Sequence, residues 1–188
     1  VQFYMKNHEQ IPTWIMIKVV NFSTFIDVLH NSKTNVTHAI CKLYSMYDDN
    51  NLPNVKLLIG SLHWLRRVRN SCAHNERVYC IHQTQARNNS ASGRILDPYY
   101  TQLPTSYSRC TEKNIFDILV YFKYFLPTEE FTPMIIELKN MLIELQNTLQ
   151  TNAFDNVRGQ MGIKNLNVLD ALIALPKSKI EYHKFDTL

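Results

Sequence analysis

Apolar residues recur at helical intervals along most of the chain. Residues 11–31 carry Trp14, Ile15, Ile17, Val19, Val20, Phe22, Phe25, Ile26 and Leu29, which is too apolar for a free surface helix and predicts two core helices with a break near residues 21–23. From Asn35 onward, Val36, Ala39, Ile40, Leu43 and Met46 follow at steps of three and four, and Asp48-Asp49-Asn50-Asn51 ends that pattern in a turn. Leu52-Pro53-Asn54 then starts a longer helix through Val55, Leu58, Ile59, Leu62 and Leu65 towards His74. Residues 83–107 lose the periodicity and hold Asn88-Asn89-Ser90-Ala91-Ser92-Gly93, Asp97-Pro98 and Leu103-Pro104. They predict one long exposed loop or a short hairpin, and loops of that length in compact domains are usually functional or disordered. Thr111-Glu112-Lys113-Asn114 offers an N-cap for a helix with Ile115, Phe116, Ile118, Leu119, Phe122 and Phe125, stopped by Leu126-Pro127. Thr128-Glu129-Glu130 opens another with Met134, Ile135, Leu138, Met141, Leu142, Leu145 and Leu149, and a short apolar helix over residues 168–175 stops at Pro176. The expected fold is an all-α bundle.

Composition agrees with that expectation. With 188 residues, 45% hydrophobic and 19% charged, the chain is long enough for one core, on a prior of about 150 residues per domain. Four glycines supply few of the tight turns that an all-β fold requires. No apolar run approaches the roughly 18 residues that span a bilayer, and no cationic-then-apolar leader opens the chain. A cytoplasmic location with no membrane partner is therefore expected. Residues 1–6 read as the middle of an element, so residues 1–188 are expected to be a single helical domain that lacks an N-terminal portion of the full protein. Cys41, Cys72, Cys80 and Cys110 form no C-x-x-C pair and read as reduced thiols.

The net charge of +4 is unevenly spread. Residues 51–96 hold Lys56, Arg66, Arg67, Arg69, Arg77, Arg87 and Arg94 against Glu76 alone. This field is rich in arginine, whose planar fork suits phosphate. With Leu58 at zero and about 100° per residue, Leu62, Leu65, Val68 and Cys72 fall within about 80° of it and form a core stripe. His63, Asn70, His74, Arg66 and Arg67 fall between about 80° and 180°, as a separate polar strip. Arg69 lies near 20°, inside the apolar stripe. A guanidinium there needs an anion, a partner surface or an internal salt bridge to an acid such as Glu112 or Asp117. Cys72, His74, Cys80 and His82 are zinc-ligand types, but a single spacer within each pair rarely turns both side chains to one ion.

The pattern R-N-x-x-x-H runs through Arg69-Asn70-Ser71-Cys72-Ala73-His74. Trp64-Leu65-Arg66-Arg67-Val68 precedes it, and Asn75-Glu76-Arg77-Val78-Tyr79 follows. With Ile11-Pro12-Thr13-Trp14 upstream and Met161-Gly162 near the end, the chain resembles the HEPN-domain ribonucleases, and among them the Abi-like abortive-infection proteins of the AbiD/AbiF group. The resemblance implies a HEPN-like helical bundle and a metal-independent endoribonuclease without a cofactor. It also implies a toxin-like role in phage defence, with RNA as substrate and an RNA or protein antitoxin as a further partner. Attack by a ribose 2′-hydroxyl on its own phosphate needs a proton acceptor near neutral pH and a cation for the phosphorane charge. His74 and Arg69 are the residues for those roles, with Asn70 orienting the imidazole or the phosphate. Arg69 and His74 are about 140° apart on an ideal helix, so one copy does not readily aim both at one phosphate unless the helix ends between them. A homodimer with facing motifs is expected. Arg66, Arg67, Arg77 and Asn75 are candidates for backbone contacts with RNA, and Tyr99 and Tyr100 of the loop for stacking on unpaired bases. His63 reads as a rim or packing residue. The alternative is a helical module that holds RNA or an antitoxin without cutting.

Overall fold

Asn21 opens the first helix, α1 (Phe22–His30), by accepting the Thr24 amide at 2.9 Å, a cap that satisfies an otherwise orphan donor. This cap falls at the predicted break near residues 21–23, and the helix expected before it lies outside the described residues. The computed structural model describes residues 20–48, 50–84, 99, 102, 103 and 112–176. The elements expected over residues 1–19, and most of the 83–107 loop, lie outside them. Helix α1 buries Ile26 and Leu29. Helix α2 (Thr34–Leu43) buries Cys41, and that burial pushes its thiol up to about 11. A turn follows in which the Asp48 carboxylate accepts the amides of Asn50 and Leu52, each at 2.9 Å. Asn51 adopts φ 58° there, a conformation that asparagine tolerates better than most residues.

Asn54 caps α3 (Val55–Ala73) by accepting the Leu57 amide at 2.9 Å. Beyond α3 come a single 3-10 turn (Val78–Cys80) and strand β1 (Gln83–Thr84), which pairs antiparallel with β2 (Glu112–Lys113), Gln83 opposite Lys113. The two paired segments lie far apart in sequence, so this is not a short hairpin within residues 83–107, and most of the chain between them lies outside the described residues. The remaining regular elements among the described residues are helices: α4 (Ile115–Phe125), α5 (Thr128–Thr148), α6 (Thr151–Gln160) and α7 (Asn167–Ala174). The protein is an all-α bundle.

Helix α4 is apolar on nearly every side and sits at the centre, burying Phe116, Ile118, Leu119, Val120, Tyr121 and Tyr124. Its start is tied to two other parts of the chain. The Asn114 amide donates to the Asp117 carboxylate at 2.7 Å and the Asn114 side chain accepts the Phe116 amide at 3.1 Å, forming a capping box. The Asn114 carbonyl accepts the Trp64 indole N–H at 3.0 Å, and the Met161 carbonyl accepts the Phe116 amide at 2.9 Å. At the other end, Lys123 is buried, and its ammonium donates to the Leu172 carbonyl at 2.6 Å near the C-terminus of α7, where cations are favoured.

Two expectations change. The core stripe of α3 rotates along its length: Leu57, Leu58 and Ile59 are buried early, Trp64 and Ser71 later, while Cys72 is exposed. The Trp64 bond to Asn114 turns that later face inward, so Arg69 lies outside the buried stripe and is exposed. Helix α6 was not anticipated, because Phe154 is its one buried residue and its apolar period is weak.

Candidate functional site

The outward face of α3 forms the floor of a cleft of about 760 Å³. Gly60, His63, Arg66, Arg67, Asn70 and His74 lie along it, with Trp64 and Ser71 at its inner edge. Lys113 of β2 and Glu76, just beyond the helix, complete the lining. Among the described residues, three permanent cations, Arg66, Arg67 and Lys113, line the cleft with one carboxylate, Glu76. Both arginines are held in place. Arg66 donates to the Ser23 hydroxyl at 3.0 Å, while Arg67 lies 5.7 Å from the Trp64 ring centroid and donates to the His82 carbonyl at 3.4 Å. Fixed cations offer an incoming anion less ordering cost than free ones.

His74 ends the helix as its C-cap, with φ −93° and ψ 7°. The Asn75 amide donates to the Cys72 carbonyl at 3.1 Å and the Glu76 amide to the Ser71 carbonyl at 2.9 Å, the paired bonds of a Schellman ending. Asn75 takes the left-handed position of that motif, with φ 55°. It thus shapes the segment that carries His74 and is not part of the cleft lining. Asn70 stands one turn before His74 on the same face. Its side-chain oxygen accepts a bond from the Arg69 guanidinium at 3.1 Å, which leaves its amide nitrogen turned to donate elsewhere.

Of the residues singled out in the sequence, the structure brings Asn70, His74, Arg66 and Arg67 into one cleft. Arg69 is exposed beside it and does not line it. Among the described side chains its bond is to Asn70 and not to Asp117, while the Glu112 side chain lies outside them. Because His74 continues the helical path, the angular separation from Arg69 persists. Arg77 is exposed beyond the helix and also stands apart from the lining. Tyr99 corrects an expectation: it is 2% exposed, with its ring 4.7 Å from that of Tyr124, and so is packed in the core and not offered to bases. Tyr100 lies outside the described residues.

Sequence reasoning missed Gly60, Glu76 and Lys113, and undervalued His63. His63 shares the angular strip of Asn70 and His74, a signal that was available; Lys113 arrives through strand pairing, which no helical period reveals. Burial holds the His63 imidazole below its ordinary range, and Arg66 adds to this. Asp27 opposes, while His30 and Lys113 add further in the lowering direction. The unfolded chain therefore takes up this proton more readily than the folded one. Stability should fall as pH drops through about 6.5 and level off below the folded value. Urea melts of wild type and His63→Gln between pH 5 and 8, a range of about three units around that value, should show a shallower acid-side loss in the variant. Superimposable profiles would contradict this.

The comparisons bear on the same part of the chain. Residues 1–80 match the family model described as Abi-like protein. The Abi-like match takes in α1, α2 and α3 whole, with the Arg69 to His74 motif and every α3 residue of the cleft, whereas Lys113 and helices α4–α7 lie beyond it. No curated protein and no solved structure matches the chain. Among the described residues, no helix is long and apolar enough to cross a membrane.

Proposed function

We propose that this protein is a metal-independent endoribonuclease of the HEPN type, within the AbiD/AbiF group, acting in the cytoplasm as a toxin-like effector of abortive-infection defence against phage. The observation that carries this reading is the pairing of His74 and Asn70 in one basic cleft, inside the segment that is similar to Abi-like proteins. His74 accepts the proton of a ribose 2′-hydroxyl, whose oxygen attacks the adjacent phosphorus. A 2′-O–P bond forms and the P–O5′ bond breaks, leaving a 2′,3′-cyclic phosphate and, once the departing oxygen takes a proton from water, a 5′-hydroxyl. Arg66 and Arg67 meet the negative charge that builds on the phosphorane, and the Asn70 amide donates to a phosphate oxygen.

Arg69 enters from a second copy. It is exposed, has no carboxylate partner among the described residues and stands outside its own cleft, which suits donation across a homodimer. An RNA or protein antitoxin that covers the cleft would hold the activity in check. Arg69's absence from the cleft also favours a second reading, in which the chain binds RNA or an antitoxin without cutting. Incubating purified protein with RNA in buffer containing EDTA separates the two. Cleavage leaving cyclic-phosphate ends supports the nuclease, whereas intact RNA bound with a steep salt dependence supports the binding module.

A further inference from the structure

The cleft is longer than one phosphate needs. It runs along α3 from Gly60 to His74, fourteen residues and so about 21 Å of helix at about 1.5 Å per residue, while the proposed chemistry uses the stretch from Arg66 to His74. The opposite end has a composition of its own. Gly60 stands inside a helix, where glycine costs stability, yet packing does not require it: a Cβ there would meet only the Lys113 ammonium, at an unstrained 3.8 Å. What the missing side chain provides is open floor, letting a ligand approach the helix backbone. Lys113 stands over that floor, its ammonium 5.5 Å from the Tyr121 ring centroid, and His63 lies one turn along the same face.

Resting on the reading of the cleft as an RNA site, we propose that Gly60, His63 and Lys113 form a second phosphate subsite, which holds a single RNA strand at a linkage remote from the one being cut. The eleven residues between His63 and His74 span about 16 Å. That distance corresponds to about five nucleotides stacked at about 3.4 Å each, and to fewer in an extended strand. A dinucleotide at the cutting end therefore cannot reach the subsite, and a strand of about six nucleotides can. Occupancy has a second signature. Asp27 and His30 of α1, Arg66 of α3 and Lys113 of β2 are the charged groups that set the His63 equilibrium in the free protein. A phosphate beside the imidazole favours its protonated form.

The test uses strands of two to twelve 2′-O-methyl ribonucleotides, which lack the attacking hydroxyl, with binding followed by fluorescence anisotropy. Wild type should gain affinity up to about six nucleotides and plateau beyond that. Lys113→Gln should lose that length-dependent gain and reduce the salt slope for the dodecamer by about 0.7, the share of one phosphate contact on a single strand. Gly60→Ala should melt about 2–4 °C higher, because it removes a helix-interior glycine, and still bind the dodecamer more weakly. Gly60→Leu should block the subsite more fully. The His63 resonances should titrate at higher pH with the dodecamer bound than with the dinucleotide. Variants that keep the wild-type length dependence, or His63 titrations indifferent to strand length, would overturn the subsite while leaving the nuclease reading standing. If wild type shows the length dependence but cuts no cleavable RNA, the nuclease fails and the subsite survives. A wild type that binds none of these strands removes both.

Discussion

Replacing His74 with alanine is expected to slow RNA cleavage by about 10²- to 10⁴-fold, the usual contribution of a positioned acid or base. The fold should be untouched, because His74 is an exposed C-cap whose backbone, not its ring, closes the helix. Substitutions at such positions usually change stability by less than about 0.5 kcal/mol. Initial rates on a fluorogenic RNA, with far-ultraviolet circular dichroism as the control, measure both. Arg69→Ala should lose activity as well. If each cleft draws Arg69 from the other copy, mixing the two inactive variants should regenerate about one quarter of wild-type activity, since half of randomly assorted dimers carry one intact composite cleft. A mixture as inactive as its components would contradict a shared site, and an active His74→Ala protein would contradict the chemistry itself.

Gly162→Ala is expected to be the most destabilising small substitution in the bundle. Gly162 has φ 79°, a left-handed conformation that a side chain strains. A Cβ built there would also collide with the Asn114 carboxamide, the group that caps α4. Asn114 cannot give way cheaply: its side-chain oxygen accepts the Phe116 amide, while its backbone N–H is bonded to the buried Asp117 and its backbone carbonyl to Trp64. Losing the cap and adding backbone strain together should cost about 2–4 kcal/mol, a fall of roughly 5–15 °C in melting temperature for a chain of this size. Gly159 supplies the contrast. It lies in α6 with open space where a Cβ would stand, so Gly159→Ala should be neutral or raise the melting temperature slightly. Thermal melts in which the two variants behave alike would contradict this account. Because Asn114 directly follows Lys113, Gly162→Ala should also weaken RNA binding at temperatures where the protein remains folded.

The residues that form the cleft were more legible in the sequence than the way it is assembled. Helical period located α1 to α5 and α7, because each presents apolar residues to a shared core, and the starts of α3 and α4 were marked further by the capping residues Asn54 and Asn114. The amphipathic wheel also grouped His63, Asn70 and His74 correctly, since angular position on one helix is a local property. It misjudged Arg69 because the buried face of α3 is set by a partner far along the chain: the Trp64 bond to the Asn114 carbonyl decides which side turns inward. Lys113 was invisible for the same reason, reaching the cleft through its pairing with Gln83. Tyr99 was read as loop surface because the breakers around it hide its return to the core beside Tyr124. Local signals therefore identified the candidate chemistry, while contacts between distant segments determined which residues share the cleft.

The most direct test of the central claim is a DNA strand containing a single ribonucleotide, incubated with the wild-type protein in EDTA. Attack by the neighbouring 2′-hydroxyl predicts one cut, immediately 3′ of the ribonucleotide, with a 2′,3′-cyclic phosphate on the upstream fragment, and no cut in the all-deoxy control. Cleavage of the all-deoxy strand, or a ribonucleotide-containing strand left whole by protein that binds it, would contradict the claim.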